Sequence, residues 1–526
     1  MNKFKKGLVA LALVGVMVLA GFSAVNFKNA KANNVEKTSG NEFIRNTNLS
    51  VDSSGTLNVN RNILGDEPMG DKGTWTIFVY MCGSDLETNY QSASTDIKEM
   101  ISGAESEKVN IVIQTGGAAA WNKPCIDANK IGRYVIKNNR MELIESHPDA
   151  NMGDGNTLKS FLKWGVNKYP AEKMGLVLWN HGGGTLGGVC CDEKNGMDSL
   201  SLVEIEKSLY ETSKIMTDKF EFIGFDACLM ATIETANVLV PYANYMIASE
   251  QVESCEGWYY KPFIDAIVKN PNIDGKEVGK VIVDGFMQVV ENFDEELQFS
   301  TLSVTDLSKV DDAIIAFNEV AKQIDEQSTS GEKINEFLTV AVTSLSEGCG
   351  DYDYGMVDLY NYMDKIAPFV NGTEKVKEAI QNMVVYEKHG TAAPNAHGIT
   401  FYYPTFNCGM VYLNLMRNVI VSPYYMNYLD KVESYTMFTY EDAQKQGFLD
   451  ENYNPVEGKD PREYVPSPYT LQNYVDNNWE NSKYYFDTDY EFMDYEFNSI
   501  EEYEEIRELP YYSEASFDDN WYNLYQ

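Results

Sequence analysis

The 526-residue chain predicts an α/β fold, a mostly parallel sheet flanked by helices, and three observations predict it. Short apolar runs of buried-strand length recur along the chain. They alternate with segments of helical period, the pattern of helices laid on the faces of a sheet. Two of the runs, Gly175-Leu-Val-Leu-Trp-Asn-His181-Gly-Gly-Gly184 and Phe220-Glu-Phe-Ile-Gly-Phe-Asp226-Ala-Cys228, break off abruptly in a reactive side chain. That places His181 and Cys228 at the mouth of the sheet, where open α/β sheets bind ligands.

In chain order, Thr74-Trp-Thr-Ile-Phe-Val-Tyr-Met81 reads as the first strand, Leu86 to Ser102 as a helix and Val109 to Gln114 as a second strand. Gly132 to Ile136 and Met141 to Ile144 read as a hairpin, and Thr157 to Lys168 as a helix before the histidine strand. Leu229, Met230, Ile233, Asn237 and Val238 recur at helical spacing until Pro241 stops them. Tyr245 to Glu250 is a further strand, residues 274 to 385 are mostly helical with runs at Val310 to Ile324 and Ile334 to Leu345, and Gly398 to Pro404 is a returning strand.

His181 and Cys228 lie 47 positions apart, enough for a crossover between parallel strands. A cysteine attacks only as thiolate, and a free thiol of pKa roughly 8.5 is little ionised at neutral pH. Two devices are expected to ionise it: the imidazole, and the positive end of a helix beginning at Cys228. The glycines after His181 admit a close substrate and free an amide for a developing oxyanion. His-Gly-Gly-Gly also occurs as the oxyanion loop of lipases, but no Gly-x-Ser-x-Gly elbow accompanies it. Asp226 lies two residues before Cys228 on the same strand face. A carboxylate there does not help form a thiolate; it suits a substrate cation, or alternatively a helix N-cap.

These segments, Trp179-Asn-His181-Gly-Gly-Gly and Phe225-Asp226-Ala-Cys228-Leu-Met, with Phe78-Val-Tyr-Met before and Gly257-Trp-Tyr-Tyr after, resemble the clostripain family of cysteine peptidases, related to caspases, legumains and gingipains. The resemblance covers roughly residues 73 to 435 and implies a caspase-like fold. It implies a Cys228–His181 dyad, an oxyanion site at the amides of Gly182 and Cys228, and cleavage of peptide bonds after Arg or Lys. It makes Asp226 a pocket residue and offers Glu256, rather than Glu253, as the second acid, although the wording Gln251-Val-Glu-Ser-Cys-Glu256-Gly departs from the usual glycine-rich form. It also implies self-cleavage after a basic residue in the loop beyond His181, where Lys194 is the single basic residue before Lys207. The chemistry requires no metal or other cofactor; calcium is a structural ion of some members, and no EF-hand loop is present. The competing class is a non-catalytic surface or binding protein on the same scaffold.

Lys3, Lys5 and Lys6, the apolar run Gly7 to Val25 and Ala30-Lys-Ala32 form a signal peptide over residues 1–32 and predict a secreted, extracellular protein; the alternative is an uncleaved anchor. Residues 33–72 are polar and read as a propeptide or linker. Eight scattered cysteines make no disulfide framework or zinc pattern, and adjacent Cys190 and Cys191 suit a packing pair or a local redox pair. A net charge of −37 argues against nucleic acid and favours cationic substrates. Protein or peptide substrates bearing Arg or Lys are the expected partners, with no membrane association once the signal is removed. A monomer is expected, of two chains if cut. Residues 436–526 form an acidic, Tyr-rich C-terminal extension: from 441 onward 22 acidic residues face 5 basic ones, with 13 of the 35 tyrosines.

Overall fold

A computed structural model describes residues 47–254, 256–291, 299–346, 350–351, 355–404, 416, 419–436 and 456. The segment expected to be a signal peptide and almost all of the C-terminal extension lie outside these residues.

A small hairpin comes first, β1 (Thr47–Val51) and β2 (Leu57–Arg61), in the polar stretch read as a propeptide or linker. Its three buried apolar residues, Leu49, Val51 and Leu57, explain its order. The sheet then starts with β3 (Trp75–Cys82), followed by α1 (Ser84–Tyr90), α2 (Ser92–Gly103) and β4 (Val109–Gly116). The single helix expected over 86–102 is broken at Gln91, which adopts φ 64°. Buried Glu87 braces the break by accepting from Ser94 N at 2.8 Å and Asn122 N at 2.7 Å. The hairpin β5 (Lys130–Lys137) and β6 (Arg140–Pro148), α3 (Gly155–Lys168) and β7 (Lys173–Trp179) follow, with Asp154 capping α3 through Asn156 N at 2.7 Å.

Beyond β7 come one helical turn (Gly184–Gly187), β8 (Val189–Asp192), a 3-10 turn (Glu193–Asn195), β9 (Asp198–Leu200), α4 (Leu202–Ser213), β10 (Phe220–Asp226), α5 (Ile233–Leu239) and β11 (Ala243–Ala248). After α6 (Tyr260–Lys269), the stretch 274–385 is mostly helical as expected, with α7 (Gly275–Val290), α8 (Val310–Gln327), α9 (Gly331–Ser346), α10 (Leu359–Ile366) and α11 (Thr373–Met383), and α12 (Pro423–Thr436) comes later. Between these helices, β12 (Thr301–Asp306) and β15 (Val384–His389) were not anticipated; both return to the main sheet. The short strands β13 (Gly350–Asp351), β14 (Met356–Asp358) and β16 (Thr400–Tyr402) make a separate three-stranded sheet, so the returning strand expected near 398–404 pairs there instead.

The main sheet has nine strands in the order β15-β12-β11-β10-β7-β3-β4-β5-β6. Its five central strands, β11, β10, β7, β3 and β4, are mutually parallel, and two antiparallel strands close each edge. Side chains of β3 alternate: Ile77, Val79 and Met81 pack with apolar residues of α2, α6 and α7, while Phe78 turns the other way onto Phe161 of α3, ring centroids 6.2 Å apart. Both faces are thereby covered, which is why the central strands read as predominantly apolar runs. The chain steps from β3 to β4 on one side and resumes at β7 on the other. The reversal opens a crevice at the C-terminal ends of β3 and β7.

Candidate active site

Three side chains meet the crevice from adjacent parallel strands. His181 stands two residues beyond the end of β7, Cys228 two beyond β10, and Asp85 three beyond β3. The ladder pairs Asp226 with Trp179 and continues as Asn180 N to Asp226 O at 3.3 Å, so the His181 and Cys228 loops leave the sheet side by side. Gly182 lies directly against the Cys228 loop: a Cβ on it would stand 2.1 Å from the Cys228 carbonyl oxygen. Only glycine fits that approach.

Asp85 was not singled out in the sequence. Its Oδ1 lies 2.8 Å from His181 Nε2, which fixes Nε2–H as the donor and leaves Nδ1 as the basic nitrogen. Burial pushes the Asp85 carboxyl up, but the hydrogen bond and charge of His181 outweigh it, and the group ends below its usual value. One positional signal pointed to it, a carboxylate just past the end of a buried strand on the rim that carries His181.

The glycine loop is ordered by a short ladder. Cys190 N donates to His181 O at 3.0 Å and Gly183 N to Gly188 O at 2.8 Å. Gly182 pairs with Val189 between them. In an antiparallel pair of that kind the central N–H points away from its partner strand, so the Gly182 amide is left unused by the ladder.

Cys228 does not begin a helix. α5 starts at Ile233 with Thr232 as its cap, and Cys228 sits in a turn continued by Leu229 at φ 65°. Leu229 N and Ala231 N bond to Gln251 O and Ser249 O, a strand-like extension that competes with helix. The expected helix dipole is therefore absent at the sulfur, and the N-cap reading of Asp226 falls with it. The half-buried Cys228 accepts Glu253 N at 3.3 Å, yet burial pushes its thiol up to about 12. Its resting form is thiol.

Asp226 ends β10, 5% exposed. It accepts from Tyr260 Oη at 2.8 Å and Trp258 N at 3.2 Å. Burial raises its carboxyl to about 7 despite these bonds. Of the two candidate second acids Glu253 is the one turned inward: both its carboxylate oxygens are buried, and Asp226 follows burial as the main cause of its raised pKa. The Trp258 indole N–H is also buried and unpartnered, and with the Ala227 backbone it opposes the effect of burial on Glu253. Glu256 is exposed on the turn above. Buried Asp96, bonded by Trp179 Nε1 at 2.8 Å, completes the acidic floor. None of these four acids is ion-paired among the described residues.

Lys194 lies on the 3-10 turn Glu193–Asn195, its Nζ held by Asp149 Oδ2 at 2.5 Å and Ala128 O at 2.5 Å. Cys82, Cys125, Cys190, Cys191 and Cys228 are free thiols; Cys190 is a core residue whose Sγ points to Trp179 O at 3.6 Å. Among the described residues no group of three His, Cys, Asp or Glu side chains is arranged to hold a metal ion. No helix among them is long and apolar enough to cross a membrane.

An imidazole oriented by a carboxylate beside a cysteine at the mouth of a parallel sheet defines a cysteine peptidase. A profile of the clostripain family matches residues 79–518, and the chain belongs to that family. The match runs well past residue 435, into the acidic extension. Clostripain of Hathewaya histolytica is 25% identical over 443 residues, 71% of this chain and 80% of that protein. Among solved structures, a secreted C11 cysteine protease of Bacteroides thetaiotaomicron ("iotapain") superposes with TM-score 0.49 at 18% identity, covering 64% of this chain and 94% of the other. An inactive zymogen C11 protease of Parabacteroides distasonis gives 0.47 at 18% identity, covering 65% and 93%.

Proposed function

We propose that this cysteine peptidase is a secreted endopeptidase cutting after Arg or Lys, with His181 and Cys228 as its dyad. The observation that carries the specificity is the acidic floor behind Cys228: buried carboxylates with no cation of their own are costly unless a ligand supplies one. A substrate guanidinium or ammonium entering beside Asp226 is that cation, with Glu253 or Glu256 as the second acid.

His181 Nδ1, basic because Nε2–H is committed to Asp85, takes the Cys228 proton as sulfur attacks the carbonyl carbon. General-base assistance is required, since the resting thiol is pushed up to about 12. The carbonyl oxygen becomes an oxyanion held by the amides of Gly182 and Cys228. The imidazolium protonates the departing amine as the C–N bond breaks. Water, deprotonated by His181, then cleaves the thioester and returns the proton to sulfur. Proteins and peptides are the substrates of a monomer acting outside the cell.

Self-cleavage after Lys194 belongs to the same reading and requires the 3-10 turn to unwind, because a peptidase cleft takes an extended segment. The deciding experiment assays purified protein on short Arg-, Lys- and Asp-terminated reporter peptides beside Cys228→Ala. Hydrolysis of the Arg or Lys peptides, at least roughly 10⁴-fold reduced in the variant, is expected. An active Cys228→Ala protein refutes the dyad, and cleavage of the Asp peptide alone refutes the pocket.

A further inference from the structure

Glu234 is fully buried, and acyl transfer makes no use of it. Its carboxylate joins three separate stretches. Thr185 Oγ1, on the turn that ends the glycine loop, donates to Glu234 Oε2 at 3.1 Å and lies 3.1 Å from Thr232 Oγ1, on the segment leaving Cys228. Tyr402 N of β16 donates to Glu234 Oε1 at 3.3 Å. The same strand grips the Cys228 segment again through Thr400 N to Ala231 O at 2.8 Å.

Gly182, Gly183 and Gly184 have no side chains to fix their own path, and glycine backbone is the most mobile of any residue. Their position is imposed from outside, by the Val189–Cys190 ladder on one flank and by Thr185 on the other. An oxyanion donor is useful only within about 2.7–3.1 Å of the oxygen it stabilises. Burying a carboxylate there is expensive: burial raises it to about 7 even with its hydrogen bonds. An apolar residue of similar size fills such space at less cost, but it ties nothing together. We infer that Glu234 is a positioning residue that clamps the glycine loop, through Thr185, to the Cys228 segment and so sets the geometry of the oxyanion site. This rests on the peptidase reading above.

The test uses the full chain carrying Thr185→Val, which is nearly isosteric, Glu234→Gln, and both together, with Cys228→Ala as control. Three quantities are read: kcat and KM on an Arg reporter peptide, affinity for a peptide aldehyde ending in arginine, whose adduct carries the oxyanion, and the rate of Cys228 alkylation by iodoacetamide, which forms none. Each single variant is expected to lose roughly 10- to 100-fold in kcat, with KM within about twofold. Aldehyde affinity falls in proportion, alkylation is unchanged, and the double variant is no worse than the weaker single one. Folded variants with wild-type kcat overturn the inference. So do additive losses accompanied by slower alkylation, which report general loosening. An active Cys228→Ala protein instead removes the peptidase reading itself.

Discussion

The two ends of the parallel sheet are built to opposite standards. At the N-terminal ends of the strands polar groups are spent: Trp75 Nε1 bonds to Pro271 O at 2.9 Å, Leu64 N to Pro241 O at 3.4 Å and Phe220 N to Tyr242 O at 2.8 Å. Nearby Arg61, its side chain 2% exposed, pairs with Asp311 at 2.6 Å and with both the backbone and side chain of Asn237. At the C-terminal ends, Ser84, Asn180, Cys190 and Leu229 all adopt positive φ, a conformation that costs a non-glycine residue of order 1 kcal/mol or more. There the Asn180 side-chain amide and the Glu253 carboxylate are buried without hydrogen-bond partners. One end is finished, and the other holds strain and unspent polar capacity that only a ligand can use.

Neutralising the floor of the open end has the largest expected effect. Asp226→Asn is expected to lose roughly 10³-fold in kcat/KM on Arg and Lys peptides, while its stability moves the opposite way. A carboxyl raised to about 7 in the folded protein contributes stability that is complete below its unfolded value near 4, and that contribution is lost as pH rises toward 7. Thermal unfolding of the variant should therefore match wild type near pH 4 and exceed it at pH 8. A variant less stable at pH 8 contradicts the assignment.

Asp85→Ala should cost about 10²-fold in kcat, with Asp85→Asn in between because an amide oxygen still accepts Nε2–H. Equal losses in the two variants would show that orientation of the ring is not what Asp85 supplies. The pocket acids can be ranked by Glu253→Gln, expected to raise KM for Arg peptides about tenfold, against Glu256→Gln, expected to change it no more than about threefold. The reverse order restores the residue chosen from sequence. At the finished end, Arg61→Ala should leave kcat/KM unaltered while lowering stability by about 2–3 kcal/mol, less than a fully buried pair costs because Asp311 is 39% exposed. Urea unfolding measures this, and any loss of activity at equal folded fraction would deny the separation of the two ends.

Much of this was legible in sequence where burial is uniform. The five central strands are predominantly apolar because both faces are covered, and His181, Cys228 and Asp226 stand where those runs stop. β12 and β15 escaped because their composition is mixed. Ser303 is buried in β12 by donating to Gly398 O at 2.7 Å, and β15 is a half-exposed edge strand. Asp85 is one of 79 acidic residues and meets His181 only through strand order. The false helix start at Cys228 came from apolar spacing that Ile233 and its neighbours satisfy, while backbone bonds to Gln251 and Ser249 hold the preceding residues extended. Glu253 and Glu256 share a turn closed by Gly257 at φ 64°, which buries the Glu253 carboxylate oxygens and leaves Glu256 exposed, a difference their spacing does not reveal.

The strand order also decides what a nick at Lys194 would do. The break would fall between β8 and β9, yet β7 on one fragment stays zipped to β10 on the other along Gly175–Trp179 and Phe222–Asp226, and His181 would belong to one polypeptide while Cys228 belonged to the other. The halves would migrate as a single particle under native conditions and separate only in denaturant, and neither half alone would carry a working dyad.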